Sequence, residues 1–98
     1  DLKKMKDNKE DFQLIDVREE YEYDVCNIGG ELIPMSEVMD KVESISKDKK
    51  VVLHCRSGKR SASVIMALES SHGFTNLYNL SGGILAWIDE IDPSLPKY

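Results

Sequence analysis

Short apolar runs alternate with segments of helical periodicity along most of this chain. The strand-like runs are FQLIDV at 12–17, LI at 32–33, KVVLHC at 50–55 and NLYNL at 76–80. Strands that alternate with helices form a mainly parallel sheet with helices on both faces, because right-handed crossovers join successive strands. We therefore predict an α/β fold with a sheet of about five short strands.

Helical signals occupy the stretches between these runs. REEYEYDV, at 18–25, predicts a short helical turn. Later segments carry apolar residues at helical spacing: Val38, Val42 and Ile45 after a capping Ser36; Val64, Ile65 and Leu68; Ile84, Ile88 and Ile91. Gly73 is placed to end the helix that carries Leu68.

Composition and charge narrow the class of protein. Of the 98 residues, 41% are hydrophobic and 32% charged, which predicts a single globular domain over residues 1–98. A net charge of −5 without a basic tract argues against nucleic-acid binding. Because no apolar run approaches the about 20 residues of a membrane span, we expect no membrane partner. We expect a cytoplasmic domain, excised from a longer chain because it begins at Asp1.

The two cysteines, Cys26 and Cys55, are too few for a disulfide framework. With only two histidines beside them, we expect neither a metal nor a cofactor. Cys55 is the more informative of the pair, because it ends an apolar strand and a helix begins shortly after it. Ligands of parallel sheets bind beyond the carboxyl ends of the strands, which is where Cys55 falls.

The segment CRSGKR, which begins at Cys55, has the composition of an anion cradle. Gly58 permits a tight curl with the backbone N–H groups pointing inward, and Ser57 and Ser61 add hydrogen-bond donors. The positive end of the following helix points into the same space. Further positive charge comes from Arg56, Lys59 and Arg60. Such surroundings lower the pKa of a thiol, so we predict that Cys55 is a nucleophile.

The alternative is that Cys55 is an inert buried residue and that the cations belong to a solvated helix start. Basic residues at a helix N-terminus oppose the helix dipole, so this layout favours an anion in the loop. His54 points away from the side of Cys55 by strand alternation, and we interpret it as structural rather than as a general base. We interpret Trp87 as a core residue rather than as part of the site mouth.

Three segments in this order resemble the rhodanese-like domain family: LIDVREEYEYDVCNIGGELIP, VVLHCRSGKRSA and YNLSGGILAWIDEIDPSLPKY. The last is similar to the rhodanese domain at the C-terminus of adenylyltransferases that activate ubiquitin-like sulfur carriers for molybdopterin and thiamin synthesis. The resemblance implies a rhodanese-like fold and a sulfurtransferase that carries sulfane sulfur as a persulfide on Cys55. The substrate-binding residues that it implies are Arg56, Ser57, Gly58, Lys59, Arg60 and Ser61.

The resemblance also implies partners. Sulfur arrives from a small donor such as thiosulfate, or from the persulfide of a cysteine desulfurase, and leaves by attack of a thiophilic acceptor. A ubiquitin-like sulfur carrier and an adenylyltransferase domain are the implied macromolecular partners.

Four further residues lie in the first of these segments. Asp16 and Arg18 match the family's DVR, and we interpret both as structural: Asp16 braces the loops at the sheet edge, and Arg18 pairs with Glu22 one helical turn on. Asn27 stands where many members have histidine, so no helper role is carried over to it. We interpret Cys26 as a buried apolar residue, with a resolving thiol as the alternative.

Two other classes of protein remain open. Dual-specificity phosphatases also place a cysteine before an anion-binding loop, but they need Cys-x5-Arg, and Arg60 comes one position too early. A smaller loop suits a sulfur atom better than a tetrahedral phosphate, and the same objection applies to an arsenate reductase. A non-catalytic docking or regulatory module is the other alternative, although inactive copies typically lack the cysteine that this chain retains.

Overall fold

The computed structural model describes residues 11–80 and 82–96. Its strands are β1 (Phe12–Asp16), β2 (Glu31–Leu32), β3 (Lys50–His54) and β4 (Leu77–Asn79). They form one parallel sheet in the order β2-β1-β3-β4. The helices are α1 (Glu20–Val25), a 3-10 helix (Met35–Ser44), α2 (Lys59–His72) and α3 (Gly83–Glu90).

The α/β architecture with a parallel sheet is the predicted one, but the described residues form four strands rather than about five. Each of the strand-like runs contributes one strand. Within residues 11–80 and 82–96, no other apolar run pairs with the sheet. Gly73 ends α2 in the left-handed conformation, with φ 68°, as its position predicted.

The sheet separates two apolar layers. Val51 and Leu53 of β3 point to one face and pack with Leu68 of α2, while Val52 between them points to the other and packs with Ile84 and Ile88 of α3. This alternation follows from the pleat of the strand, and it buries β3 on both sides. The carboxyl end of β3 is thereby held at the centre of the molecule, which fixes where Cys55 can lie.

The segment after Ser36 differs from the prediction, because it forms a 3-10 helix and Ser36 lies inside it rather than at its cap. The backbone N–H of Glu37 donates to the carbonyl of Pro34 at 2.8 Å, which starts the helix before Ser36 and gives it 3-10 spacing. Lys41 interrupts its regularity with φ −119° and ψ 26°. Val38 is the residue of this segment that anchors it in the core.

Candidate active site

Cys55 directly follows β3 at the carboxyl edge of the sheet, four positions before the first residue of α2. The chain turns between them at Gly58, whose φ of 101° is readily adopted by glycine alone. Cys55 is only 1% exposed. The structure thus places the thiol inside the turn between a central strand and a helix.

The sulfur of Cys55 faces several donors. The backbone N–H of Gly58 lies 3.1 Å from Sγ, and the hydroxyl oxygen of Ser61 lies 3.5 Å from it. Burial is the largest influence and raises the pKa of Cys55, but hydrogen bonds from the Ser61 hydroxyl and from the backbone of Ser61, Gly58 and Ser57 lower it. The lowering contributions prevail, so the pKa of this thiol lies below its ordinary value.

The three cations of the loop have different surroundings. Arg56 and Lys59 are exposed, whereas Arg60 is partly buried. The guanidinium of Arg60 binds both carboxylate oxygens of Glu22, with Nη1–Oε1 and Nη2–Oε2 distances of 2.7 and 2.8 Å. Glu22 is 3% exposed, so this pair joins the first turn of α2 to α1. Arg60 therefore has a structural partner that the sequence analysis did not identify, and its role in substrate binding remains a prediction.

Asp16 and Arg18 form a fully buried ion pair at the end of β1. Arg18 Nε lies 2.9 Å from Asp16 Oδ1, and Arg18 Nη2 lies 2.7 Å from Asp16 Oδ2. Arg18 also contacts Glu22, the partner expected for it, through a 3.4 Å hydrogen bond from Nη1 to the backbone carbonyl of Glu22. The guanidinium fork of Arg18 fits the carboxylate of Asp16, and the carboxylate of Glu22 binds Arg60.

The buried pair adjoins the strand that carries the thiol. Asp16 is the register partner of His54, and Asp16 Oδ2 lies 3.8 Å from His54 Nε2. His54 is 0% exposed. Arg18 Nη2 also donates to the carbonyl of Cys26 at 2.7 Å, so the pair connects β1, β3 and the end of α1. This arrangement agrees with structural roles for Asp16, Arg18 and His54.

Two residues that the sequence analysis did not single out complete the site. Asn79 ends β4, and its Nδ2 donates to the carbonyl of Gly58 at 3.2 Å while its Oδ1 lies 2.5 Å from Ser61 Oγ. Gly83 begins α3, and an ideal Cβ on it would lie 2.5 Å from the carbonyl oxygen of Arg56. Their positions in the sequence could have indicated that they belong to the site. Asn79 lies at the carboxyl end of a strand, and Gly83 follows another glycine before a helix.

The N-terminus of α3 holds the outer side of the loop. The backbone N–H of Ile84 donates to the carbonyl of Cys55 at 2.9 Å, and that of Leu85 donates to the carbonyl of Arg56 at 3.2 Å. These bonds pair two loop carbonyls with the free N–H groups of a helix start. The glycine pair at 82–83 therefore allows the start of α3 to approach the cysteine loop and hold its carbonyls in place.

The second cysteine lies in a different layer. Cys26 is 4% exposed and packs with Val52 and Ile84 on the opposite face of the sheet from the layer that contains Cys55. Trp87 packs against the layer of Cys26. These positions agree with the interpretation of Cys26 and Trp87 as core residues.

The sequence matches the rhodanese-like domain family over residues 1–90. This chain belongs to that family. It is 35% identical over 102 residues to the probable adenylyltransferase/sulfurtransferase MoeZ of Mycobacterium tuberculosis, covering 100% of the chain and 26% of the relative. It is 31% identical to the adenylyltransferase and sulfurtransferase UBA4 of Candida glabrata, covering 87% of the chain and 22% of the relative. The domain thus spans about a quarter of the length of these relatives.

Solved rhodanese structures have the same fold. A rhodanese-like domain protein from Staphylococcus aureus superimposes with a TM-score of 0.81 at 31% identity, over 99% of this chain and 91% of that one. A rhodanese-related protein from Thermoplasma volcanium gives a TM-score of 0.78 at 32% identity, over 89% of this chain and 86% of that one. Among the described residues, no helix of this rhodanese domain is long and apolar enough to cross a bilayer.

The lowered pKa of Cys55 predicts how its reaction with iodoacetamide depends on pH. The thiolate is the reactive form, so the rate should persist to lower pH than for an ordinary thiol. The measurement is the alkylation rate against pH in a Cys26→Ser background, which removes the second thiol. Alanine at the exposed Arg56 and Lys59 should shift the inflection upward, because lost positive charge disfavours the thiolate. An inflection at or above that of free cysteine would contradict the role of the loop.

Proposed function

We propose that this rhodanese domain is a sulfurtransferase in which Cys55 carries sulfane sulfur as a persulfide. The observation that carries the proposal is a buried thiol of lowered pKa, bonded by Gly58 N–H at 3.1 Å and approached by Ser61 Oγ at 3.5 Å. The names of the relatives MoeZ and UBA4, both sulfurtransferases, add support.

The reaction with thiosulfate needs no external oxidant or reductant. The thiolate of Cys55 attacks the sulfane sulfur, the S–S bond of thiosulfate breaks, and sulfite leaves with the electron pair. The product is a persulfide anion, with its charge on the outer sulfur. An acceptor such as cyanide then attacks the outer sulfur, leaves as thiocyanate and returns the electron pair of the S–S bond to Cys55 as thiolate.

The loop residues have different roles in this reaction. The backbone N–H groups of Ser57, Gly58 and Ser61 stabilise the anion, as preorganised donors do at other nucleophilic sites. The exposed side chains of Arg56 and Lys59 raise the local concentration of anionic donors. Arg60 contributes by fixing α2 against α1 through Glu22.

We further infer a place for the domain in the activation of sulfur carriers. MoeZ and UBA4 combine adenylyltransferase and sulfurtransferase in one chain, of which this domain corresponds to about a quarter. The proposed acceptor is therefore a ubiquitin-like sulfur carrier of molybdopterin or thiamin synthesis, adenylated by a partner domain. The proposed cellular donor is a cysteine desulfurase persulfide, and the proposed compartment is the cytoplasm.

Comparison of two substrates tests the proposed reaction. The domain is expected to transfer sulfur from thiosulfate to cyanide and to leave para-nitrophenyl phosphate unchanged, because Arg60 is one position too near for a phosphate loop and is bound by Glu22. Thiocyanate and nitrophenol are measured under the same conditions. Absence of thiocyanate favours the non-catalytic docking module, and nitrophenol release through Cys55 at a comparable rate favours the phosphatase.

A further inference from the structure

A chain of hydrogen bonds leads from the thiol to the surface through Ser61 and Asn79. Ser61 Oγ lies 3.5 Å from Cys55 Sγ, 3.2 Å from the carbonyl oxygen of Gly58 and 2.5 Å from Asn79 Oδ1. A hydroxyl has one proton to donate, so only one of these three atoms receives it at a time. Ser61 is 0% exposed, whereas Asn79 is exposed.

The carbonyl of Gly58 is not the acceptor. It already receives the backbone N–H of Ala62 at 3.1 Å and Nδ2 of Asn79 at 3.2 Å, which together occupy both of its lone pairs. The bond from Nδ2 also fixes the orientation of the Asn79 amide, so that Oδ1 is the atom that faces Ser61. Two oxygens 2.5 Å apart need a proton between them, and Ser61 is the residue that can supply it.

We propose that Asn79 is a positioning residue, which holds the proton of the Ser61 hydroxyl and turns the oxygen lone pairs of Ser61 toward Cys55. In this arrangement the neutral thiol can donate its S–H to Ser61. When Cys55 ionises, the Ser61 proton must rotate to the sulfur, and two oxygen atoms are left facing each other without a proton. Asn79 therefore opposes ionisation of Cys55, while Ser61 alone favours it.

The hydrogen bond from Ser61 to Asn79 also affects the loading of sulfur onto Cys55, a step that rests on the proposed function. In the persulfide the charge lies on the outer sulfur and Sγ is neutral, so the Ser61–Asn79 bond can be kept. Asn79 thus stabilises the resting thiol and the persulfide relative to the free thiolate. The hydrogen-bond chain therefore favours the neutral thiol, which precedes sulfur loading, and the persulfide, which precedes sulfur transfer.

Other charged and titratable groups lie on the elements around Cys55, and none of them is altered in the test below. They include His54 on β3, Asp16 and Arg18 on or after β1, Glu22 on α1, Arg56 in the loop, Lys59 and Arg60 on α2, and Tyr78 on β4. Because Asn79 is uncharged, its replacement leaves the local charge unchanged and separates hydrogen bonding from electrostatics.

The experiment measures iodoacetamide alkylation of Cys55 against pH in a Cys26→Ser background. Asn79→Ala should move the inflection to lower pH, and at a fixed pH below the inflection the rate should rise about three- to tenfold, the effect of one hydrogen bond. A water molecule in place of the amide can donate a hydrogen bond as well as accept one. It therefore does not oppose the ionisation of Cys55 as Asn79 does. Ser61→Ala should move the inflection in the opposite direction. Ser63→Ala, an exposed serine on α2, is the control and should leave it unchanged.

A double-mutant cycle tests whether Asn79 acts through Ser61. In the Ser61→Ala background, Asn79→Ala should no longer lower the inflection, because there is no hydroxyl left to orient. Loss of the bond from Nδ2 to the Gly58 carbonyl can only raise it, since Gly58 N–H is a donor to Sγ. Asn79→Leu, which keeps a similar volume, should repeat the effect of alanine, and thermal melts establish that each variant is folded. A raised or unchanged inflection in both folded Asn79 variants overturns the proposal, as does a lowering of the inflection that persists without Ser61. Alkylation needs no turnover, so this result is independent of whether the domain transfers sulfur.

Discussion

Replacement of Cys55 with serine is expected to abolish sulfur loading and sulfur transfer together. A serine hydroxyl is not ionised by the donors that suffice for a thiol, and an alkoxide cannot form a persulfide. After incubation with thiosulfate, intact mass should show the wild-type domain heavier by about 32 Da, one sulfur, and the Cys55→Ser variant unchanged. Cyanide should remove the added sulfur and release thiocyanate.

Cys26→Ser is the matched control for this variant. Cys26 is also a buried cysteine, but it packs in the apolar layer on the other face of the sheet. The control should load sulfur and turn over like the wild-type domain, with at most a modest loss of stability from the added hydroxyl. If Cys26→Ser lost the adduct and Cys55→Ser kept it, the sulfur carrier would be Cys26 and the cysteine loop would need another explanation.

The elements that could be predicted from the sequence are those set by local composition. The run KVVLHC gave β3 almost to the residue, because a strand buried on both faces must be continuously apolar. Gly58 and Gly73 were correctly assigned to turns, since both have positive φ values that glycine readily adopts. Cys55 was placed at the carboxyl edge because parallel topology leaves few alternatives.

The contacts that could not be predicted join residues far apart in the sequence. Arg60 and Glu22 are 38 positions apart, and Asn79 and Ser61 are 18 positions apart. Helical spacing suggested Glu22 as a partner of Arg18, but it did not indicate that Arg18 binds both carboxylate oxygens of Asp16. The pairing of Arg60 with Glu22 depends on how α2 packs against α1, and spacing along one helix does not contain that information.

Substitution of Gly83 with alanine is expected to destroy the site although Gly83 has no side chain to contribute. Its φ is +63°, and an added Cβ would lie 2.5 Å from Arg56 O and 2.6 Å from Cys55 O, both backbone atoms that cannot rotate away. The start of α3 must retreat, which breaks the bonds from Ile84 and Leu85 that hold these carbonyls. Backbone strain and two lost hydrogen bonds together amount to about 2–4 kcal/mol of unfolding free energy.

The effect on activity should exceed the effect on stability. Apart from the Ser61 hydroxyl, the donors to Sγ are backbone groups, so a displacement of the loop moves them together, and a misplacement of about 1 Å can reduce a rate by about a hundredfold. Thiocyanate formation should therefore fall by about that factor at a temperature where thermal melts show the variant folded. The inflection of Cys55 alkylation should rise in the same variant, since the lost donors stabilise the thiolate.

Gly73→Ala separates the strain of the backbone from the contact with the loop. Gly73 has φ +68°, close to that of Gly83, but nothing lies within 4 Å of the Cβ that alanine would add. This control should lose about 1 kcal/mol from the left-handed conformation and retain sulfur transfer, because it ends α2 far along the chain from Cys55. If the folded Gly83→Ala variant transferred sulfur as well as Gly73→Ala, the N-terminus of α3 would not be what shapes the cysteine loop. If Gly83→Ala instead loses sulfur transfer while Gly73→Ala retains it, glycine is needed at position 83 because the α3 backbone lies close to the loop, and not only because its φ is positive.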